Sequence, residues 1–452
     1  MSEQNPAVPQ NGQRVFMHVL INTAVANVTT SYLWFALTFW VYLETENVMA
    51  TGIIGGAFML LIAIFSMLFG SFVDQHRKKS VFVLSAVITA VMFTLAGAVY
   101  LLLPTQRILD IGSWEFWLFC LVILAGAIVE QMRGIALSTT VTLLIPVEKH
   151  ANANGLVGTV QGLAFLVTSV FSGLSIGLLG MGWTLAIAIG LVVVTMVHLL
   201  GIGIPEEQPE PEAGQDEKKT SSLRLGFTTV LAIPGLLALI IFSMFNNFIG
   251  GVYMALMDPY GLTVMSVEAW GIVLGFASTG FLIGGAVVAK FGLGKNPIRT
   301  LLLLVACMGF LGAVFTLREW VWLYVVGIWL YMCLIPACEA AEQTVIQKVV
   351  PFRRQGRVFG FAQMLEAAAS PITAFLIAPL AQYLIIPFMK TDEGAASFGW
   401  LLGSGDARGI ALIFLAAGLI MVAASLLAMA TGQYRKLSAI FAHPEDAALE
   451  SS

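Results

Sequence analysis

The chain has 452 residues, of which 58% are hydrophobic and only 11% are charged, whereas soluble domains carry about 25% charged residues. This composition excludes an ordinary water-soluble globular protein. The formal net charge of −4 gives no sign of a nucleic-acid partner, and none is expected.

Twelve apolar runs follow one another along the chain. A run of about 18 or more residues crosses a hydrocarbon core about 30 Å thick as a helix. Lipid offers no hydrogen bonds to bare backbone amides, and the period-two alternation of a lipid-facing barrel is missing. The sequence therefore predicts an all-α membrane protein with transmembrane helices at 16–43, 50–73, 80–103, 114–145, 155–180, 182–204, 225–250, 268–290, 299–317, 320–347, 356–386 and 407–432.

The longest polar interruption is PEEQPEPEAGQDEKKTSSLR, which is rich in Pro and Glu and lacks apolar periodicity. Such a segment between spans six and seven indicates a linker between two six-helix bundles, as in transporters built from repeats. The predicted organisation is an N-terminal bundle at 1–204, a cytoplasmic linker at 205–224, a C-terminal bundle at 225–432 and a cytoplasmic tail at 433–452.

A weak internal match supports two related halves. The segments 143–163 and 348–368 both run from an apolar stretch through Pro and a charged loop into the next helix. A shift of 205 residues pairs Pro146 with Pro351, Gly155 with Gly360 and Gln161 with Glu366.

Glycines also recur at a spacing that lets helices approach closely. Such pairs serve either static packing or moving helix interfaces. They are Gly158 with Gly162, Gly173 with Gly177, Gly271 with Gly275 and Gly280 with Gly284.

Lys and Arg are distributed unevenly among the loops. With a cytoplasmic N-terminus, seventeen bases fall on the cytoplasmic side and four on the other, namely Arg107, Arg318, Lys390 and Arg408. The positive-inside rule therefore predicts a multi-pass protein of the cell (inner) membrane with both termini cytoplasmic.

The stretch GSFVDQHRKKS, residues 70–80, separates two apolar runs. A carboxylate at a helix end beside bases makes a charge-assisted contact that can form in one conformation and break in another. Asp74 is therefore a candidate conformational latch, together with Gly70, Arg77, Lys78 and Lys79. In the alternative interpretation the bases only orient the loop, which leaves Asp74 unexplained.

Five ionisable side chains lie deep inside apolar runs, where each costs about 2.5–3.5 kcal/mol on insertion scales. Glu130 and Arg133 share a helix face, so they either form an internal ion pair or contribute to substrate binding and gating. Glu339 and Glu342 share a face without a base in their run, and Glu366 is alone in the next run. Two close carboxylates in a low dielectric resist double ionisation. Glu366, or the Glu339 and Glu342 pair, is therefore the candidate carrier of a coupled proton.

Uncharged polar residues at membrane depth complete the candidate site. Asn246 and Asn247 lie in the seventh run and hydrogen-bond either substrate or another helix. Gln161 is the neutral counterpart of Glu366 in the half-repeat. We group these three with Glu130 and Arg133 as candidate substrate or gating residues.

These motifs resemble those of the major facilitator superfamily over nearly the whole chain. Gly70, Asp74, Lys78 and Lys79 match that superfamily's loop between helices two and three. ANANGL (151–156), IQKVVPFRRQGRVFGF (346–361) and FGWLLGSGDARGIALIFLAAGL (398–419) resemble the drug:proton antiporter branch that includes macrolide-efflux and enterobactin-exporter-like proteins. The resemblance implies the major facilitator fold, with two six-helix bundles, and proton-coupled efflux of drug-like amphipathic molecules, hence a role in multidrug resistance.

Other function classes find little support. The sequence has no HExxH, no Gly-x-Ser-x-Gly, no phosphate-binding glycine loop and no His/Cys cluster, so an enzyme, a metal site and a cofactor are not expected. The expected partners are a small-molecule substrate, protons and membrane lipids, and the expected state is a monomer. The alternative is a lipid or siderophore transporter of the same fold.

Overall fold

The computed structural model describes residues 8–45, 47–206, 222–403 and 407–442. Within these ranges the chain is helical and has no β-strand, which confirms the predicted all-α class. Eleven helical segments are long and apolar enough to cross a membrane. Most of the predicted linker and half of the predicted tail, residues 207–221 and 443–452, lie outside the described residues.

The helices of the first half follow the predicted runs closely. Polar caps set some of their starts: the Asn47 side chain accepts a hydrogen bond from the Ala50 amide at 2.9 Å, and Ser113 accepts one from Phe116 at 3.2 Å. Such caps satisfy amides that have no partner inside the helix. The helices are α1 (Gly12–Thr45), α2 (Val48–Gln75), α3 (Lys78–Leu102), α4 (Trp114–Leu144) and α5 (His150–Leu200).

The predicted fifth and sixth spans form one segment, α5, which reverses at Gly180. This glycine has φ +77°, a conformation that side chains disfavour. The hydroxyls of Ser175 and Thr184 lie 2.8 Å apart, whereas nine residues of straight helix would separate them by about 13.5 Å. The segment therefore supplies two spans, and the described residues contain the twelve that the sequence predicts.

In the second half of the chain, one membrane span begins at a different residue from the one predicted. The predicted run 225–250 is wrong in its bounds, because the left-handed Gly235 (φ +86°) separates two helices and the span begins after it. The sequence stays apolar across this break, so its composition does not reveal that one helix ends and another begins. The helices are α6 (Ser222–Ala232), α7 (Leu236–Val264), α8 (Val267–Phe291), α9 (Pro297–Val314), α10 (Val321–Val349), α11 (Gln355–Leu380), α12 (Asp392–Leu402), α13 (Arg408–Ala430) and α14 (Gly432–Ala442).

Contacts divide the chain into two compact units. Unit 1 comprises Met1–His150, Leu163–Val230 and Val350–Met364, and unit 2 comprises Ala151–Gly162, Leu231–Val349 and Leu365–Ser452. Unit 1 has a core that contains Trp40 and Phe119, with ring centroids 5.5 Å apart. Unit 2 has its own aromatic core, in which Tyr253 and Phe414 are 5.0 Å apart. The division into bundles at 1–204 and 225–432 stays a prediction.

The glycine pairs differ in what they contact. A Cβ at Gly280 would lie 2.7 Å from the Trp329 carbonyl oxygen, and one at Gly284 would collide with the Cys333 carbonyl. Gly271 and Gly275 precede Gly280 on the same helix, and a Cβ at either position would meet no other atom within 4 Å. Only the second half of α8 therefore uses glycine to approach α10.

We expect Gly284→Ala to destabilise the protein by about 1–3 kcal/mol, because the added methyl group forces two helix backbones apart. Thermal unfolding of the purified protein in detergent measures the effect. Gly275→Ala on the same helix is the matched control and should unfold at the wild-type temperature. Equal melting temperatures for the two variants would contradict the assigned contact.

Candidate functional site

Three carboxyl groups lie together in unit 2. The side chains of Glu342 in α10 and Glu366 in α11 lie close enough to interact directly, and Glu339 lies one turn before Glu342. Glu342 and Glu366 each keep one carboxyl oxygen buried without a hydrogen-bond partner. In the described part of this unit, every Lys and Arg lies in a loop, in α14 or within three residues of a helix end. We call Glu339, Glu342 and Glu366 the acidic cluster.

The two acids on α10 differ in their exposure. Glu339 is exposed, whereas Cys338 and Ala340 beside it are buried, and Glu342 is half-buried. Pro336 lies inside this helix one turn before Glu339, where proline removes a backbone hydrogen bond. Glu339 is therefore the most exposed acid of the cluster, and Glu342 and Glu366 are half-buried.

The two asparagines of α7 have separate roles. The Asn247 amide donates to the Ser243 carbonyl at 3.1 Å, and the Asn247 carbonyl accepts from the Ser370 hydroxyl at 3.1 Å. Asn247 thus serves helix packing. The side-chain oxygen of Asn246 is buried and has no partner, so it remains an acceptor for a ligand. The Ser243 side chain of α7 lies near Glu342, which brings α7 to the acidic cluster.

Gln161 is exposed on α5. Among the described residues, no hydrogen bond joins it to the acidic cluster. Gln161 and Glu366 correspond in the internal sequence repeat, but their side chains are not joined by a hydrogen bond.

In unit 1 the predicted pair of Glu130 and Arg133 forms. The Arg133 Nε lies 3.3 Å from Glu130 Oε2, and both side chains are buried. Arg133 also donates to Asn22 Oδ1 of α1 at 2.8 Å. The Asn22 amide in turn donates to the Thr195 carbonyl at 2.8 Å. A network from three helices therefore holds this arginine in place.

The same network leaves one acceptor open. Glu130 Oε1 is buried without a hydrogen-bond partner. It borders a small cavity that the side chains of Thr30, Thr89 and Thr195 also line. All three hydroxyls donate to backbone carbonyls, so they offer further acceptor oxygens to the cavity.

Asp74 binds the start of a helix distant in sequence. Its Oδ1 accepts from the Gly356 amide at 2.6 Å and its Oδ2 from the Arg357 amide at 2.9 Å. The Arg357 Nε lies 3.9 Å from Oδ2. A carboxylate at a helix N-terminus satisfies unpaired amides and complements the helix dipole. A Cβ at Gly70 would collide with the Gly356 carbonyl, so Gly70 permits the approach.

The neighbouring bases have partners other than Asp74. Lys78 is buried, donates to the Val73 carbonyl at 2.8 Å and lies 3.6 Å from Glu206 Oε1. Lys79 donates to the Leu200 carbonyl at 3.2 Å at the end of α5, and Arg77 is exposed. Glu206 Oε2 also accepts from the Lys78 amide at 2.5 Å, at the start of α3. Burial raises the pKa of Glu206 above its usual value, and the charge of Lys78 opposes that rise.

Comparison with known proteins decides the family. The model of the Major Facilitator Superfamily matches residues 19–374. The chain belongs to this superfamily. It is 22% identical to macrolide efflux protein A of Streptococcus pyogenes over 381 residues, which covers 81% of this chain and 89% of that protein.

Solved structures share the fold of this facilitator at 12–13% identity. A bacterial homologue of the iron transporter ferroportin gives a TM-score of 0.64, with 92% of this chain and 100% of that chain covered. The human organic anion transporter MFSD10 gives 0.63, with 91% and 100% covered. The proton:xylose symporter XylE gives 0.57, with 91% and 96% covered. As a member of this superfamily, the protein is a multi-pass membrane transporter of small molecules and not an enzyme.

Two residues of the facilitator's polar network escape the sequence analysis. Asn22 lies in an apolar run beside several other Thr and Asn residues. Glu206 lies at the start of the polar linker, where Glu is common. Neither residue has a motif or spacing that distinguishes it from its neighbours.

We expect Glu206→Gln to destabilise the protein by about 3–5 kcal/mol, because it leaves the buried Lys78 ammonium without its acid. In the double variant with Lys78→Met, the loss should be smaller than the sum of the two single losses. Thermal unfolding in detergent measures all three variants. Glu148→Gln, at an exposed loop acid, should have no effect, and additive losses would contradict the pairing.

Proposed function

We propose that this transporter is a proton-coupled exporter of amphipathic small molecules that works by alternating access. The observation that carries the proposal is the close approach of the Glu342 and Glu366 side chains, with Glu339 one turn away on the same helix and no base at membrane depth in the described part of unit 2. The similarity to a macrolide efflux protein supports export as the direction.

The chemistry of the pair favours a proton as the coupling ion. An ionised carboxylate only accepts hydrogen bonds, so two carboxyl groups in close approach are favoured when one of them carries a proton and can donate it. Loss of that proton would leave like charges together in a low dielectric. Its release must therefore accompany exposure to water or the arrival of positive charge. Glu339 is more exposed than either member of the pair, so we assign it the proton exchange with the surroundings.

Two buried acceptors support the assignment of substrate and gating residues. Asn246 Oδ1 and Glu130 Oε1 both lack a hydrogen-bond partner, and a substrate that donates a hydrogen bond would remove the cost of leaving them unpaired. Arg133 is held by Asn22 and Glu130, so we assign it a positioning role.

The contact between Asp74 and the start of α11 is our proposed latch. Both carboxylate oxygens accept backbone amides there. Such contacts are strong when shielded from water and are lost when two helices move apart. Glycine at positions 70 and 356 permits the approach. A transporter that alternates between conformations needs a contact of this kind, which favours one of them.

We expect Glu342→Gln and Glu366→Gln each to reduce pH-gradient-driven transport at least about tenfold, because a neutral amide neither binds nor releases the coupled proton. The measurement is drug flux into proteoliposomes with an imposed pH gradient. Substrate exchange without a gradient should persist.

Glu393→Gln, an exposed acid of α12, is the matched control. If all three variants of the acidic cluster, including Glu339→Gln, keep gradient-dependent flux, proton coupling at this cluster is wrong. A substrate panel of macrolides, other amphipathic drugs, lipids and siderophores identifies the cargo.

For the latch, Asp74→Asn should lower transport several-fold while expression stays at the wild-type level. Asparagine keeps one acceptor oxygen but loses the charge that complements the α11 N-terminus. Transport assays on equal amounts of purified protein test this. Asp110→Asn, at an exposed loop acid, is the control and should transport as wild type does. Unchanged transport by Asp74→Asn would contradict the latch and would leave the bases at 77–79 with the role of orienting the loop.

A further inference from the structure

One end of unit 2 is covered by the amphipathic helix α14. Its apolar residues Leu437 and Phe441 are buried, and the Lys348 ammonium lies 4.1 Å from the centre of the Phe441 ring. The Asn296 amide donates to the Ser438 hydroxyl at 3.3 Å. The helix begins two residues after α13 ends. It is therefore docked against the ends of membrane-spanning helices, at the level where a span leaves the hydrocarbon.

The outward face of this helix is basic. Arg435 and Lys436 are exposed on α14, and Lys295 and Arg299 are exposed beside it. Residues three apart share a helix face, so Arg435 lies on the side of Ser438 and Arg299 on the side of Asn296. The hydrogen bond between Asn296 and Ser438 thus brings these basic turns together. We call Lys295, Arg299, Arg435 and Lys436 the α14 basic surface.

The described segments around these bases contain no acid. The segments 285–300, 343–349 and 431–442, which form this end of unit 2, contain no Asp or Glu. Among the described residues, none of the four bases forms an ion pair. In unit 1, by contrast, Lys78 pairs with Glu206. The positive-inside rule accounts for the presence of bases on this side, but not for four unpaired bases around one docked amphipathic helix.

We propose that the α14 basic surface binds the headgroup phosphate of an anionic phospholipid. Clustered Lys and Arg on an amphipathic helix at a membrane boundary attract anionic lipid. Two guanidinium groups offer paired donors that suit phosphate oxygens. The bound headgroup ties α14 to the start of α9 across the Asn296 contact. This site is independent of the proposed coupling mechanism.

The test measures lipid retention by the purified full-length protein in neutral detergent. Native mass spectrometry compares added phosphatidylglycerol with phosphatidylcholine. Wild-type protein should retain phosphatidylglycerol preferentially, and Arg435→Gln with Lys436→Gln should lower that retention about tenfold. The control, Arg14→Gln with Lys149→Gln, removes the same charge from exposed bases of unit 1 and should retain the lipid as wild type does.

Additional variants and a phosphate competitor distinguish headgroup binding from misfolding, from attraction to net charge and from binding of free phosphate. Arg435→Lys with Lys436→Arg keeps the charge and should bind as wild type, which excludes misfolding of the neutral variant as the cause. Equal losses in the neutral variant and its control would overturn the proposal, since they would indicate attraction to net charge alone. Absence of a preference for phosphatidylglycerol would overturn it, and so would its displacement by inorganic phosphate at equal concentration.

Discussion

A charged side chain inside a bundle of apolar helices needs an opposite charge, a hydrogen-bonding group or a proton, because hydrocarbon supplies none of them. Unit 1 meets this constraint with partners: Glu130 pairs with Arg133, and Asp74 binds the start of α11. Unit 2 presents the acidic cluster without a base at membrane depth in its described part. The two units thus handle buried charge differently. Acids without a base beside them suit exchange of a proton.

Helix ends are the second place where charge shapes the structure. Asp74 and Glu206 lie at helix N-termini, and Lys79 lies at a C-terminal carbonyl. Each sign matches the partial charge that the helix presents there. The end of α2 is consequently joined to the start of α11, and the start of α3 is joined to the end of α5. These contacts involve termini rather than helix sides, so they can be lost without repacking an apolar face, which is what a latch requires.

Much of the architecture could be read from the sequence. The apolar runs gave the class and twelve spans, because lipid requires about 20 apolar residues per helix regardless of the neighbours. The bounds failed where a glycine broke an unchanged apolar composition, as at Gly235. All three acids of the cluster were recognised for the same reason as the spans, since a charge in an apolar run is conspicuous. Their arrangement could not be predicted. Glu366 is the only acid in its apolar run, and only the structure shows that its side chain lies next to Glu342.

By itself, the sequence determined that this chain spans a membrane, roughly where it does so, and which ionisable residues are costly there. These properties depend on composition over a window of one helix. Only the tertiary structure decided which partner each charge has: Asn22 for Arg133, Glu206 for Lys78 and the α11 amides for Asp74. Those choices depend on distances between helices more than a hundred residues apart, and packing sets such distances rather than any local pattern.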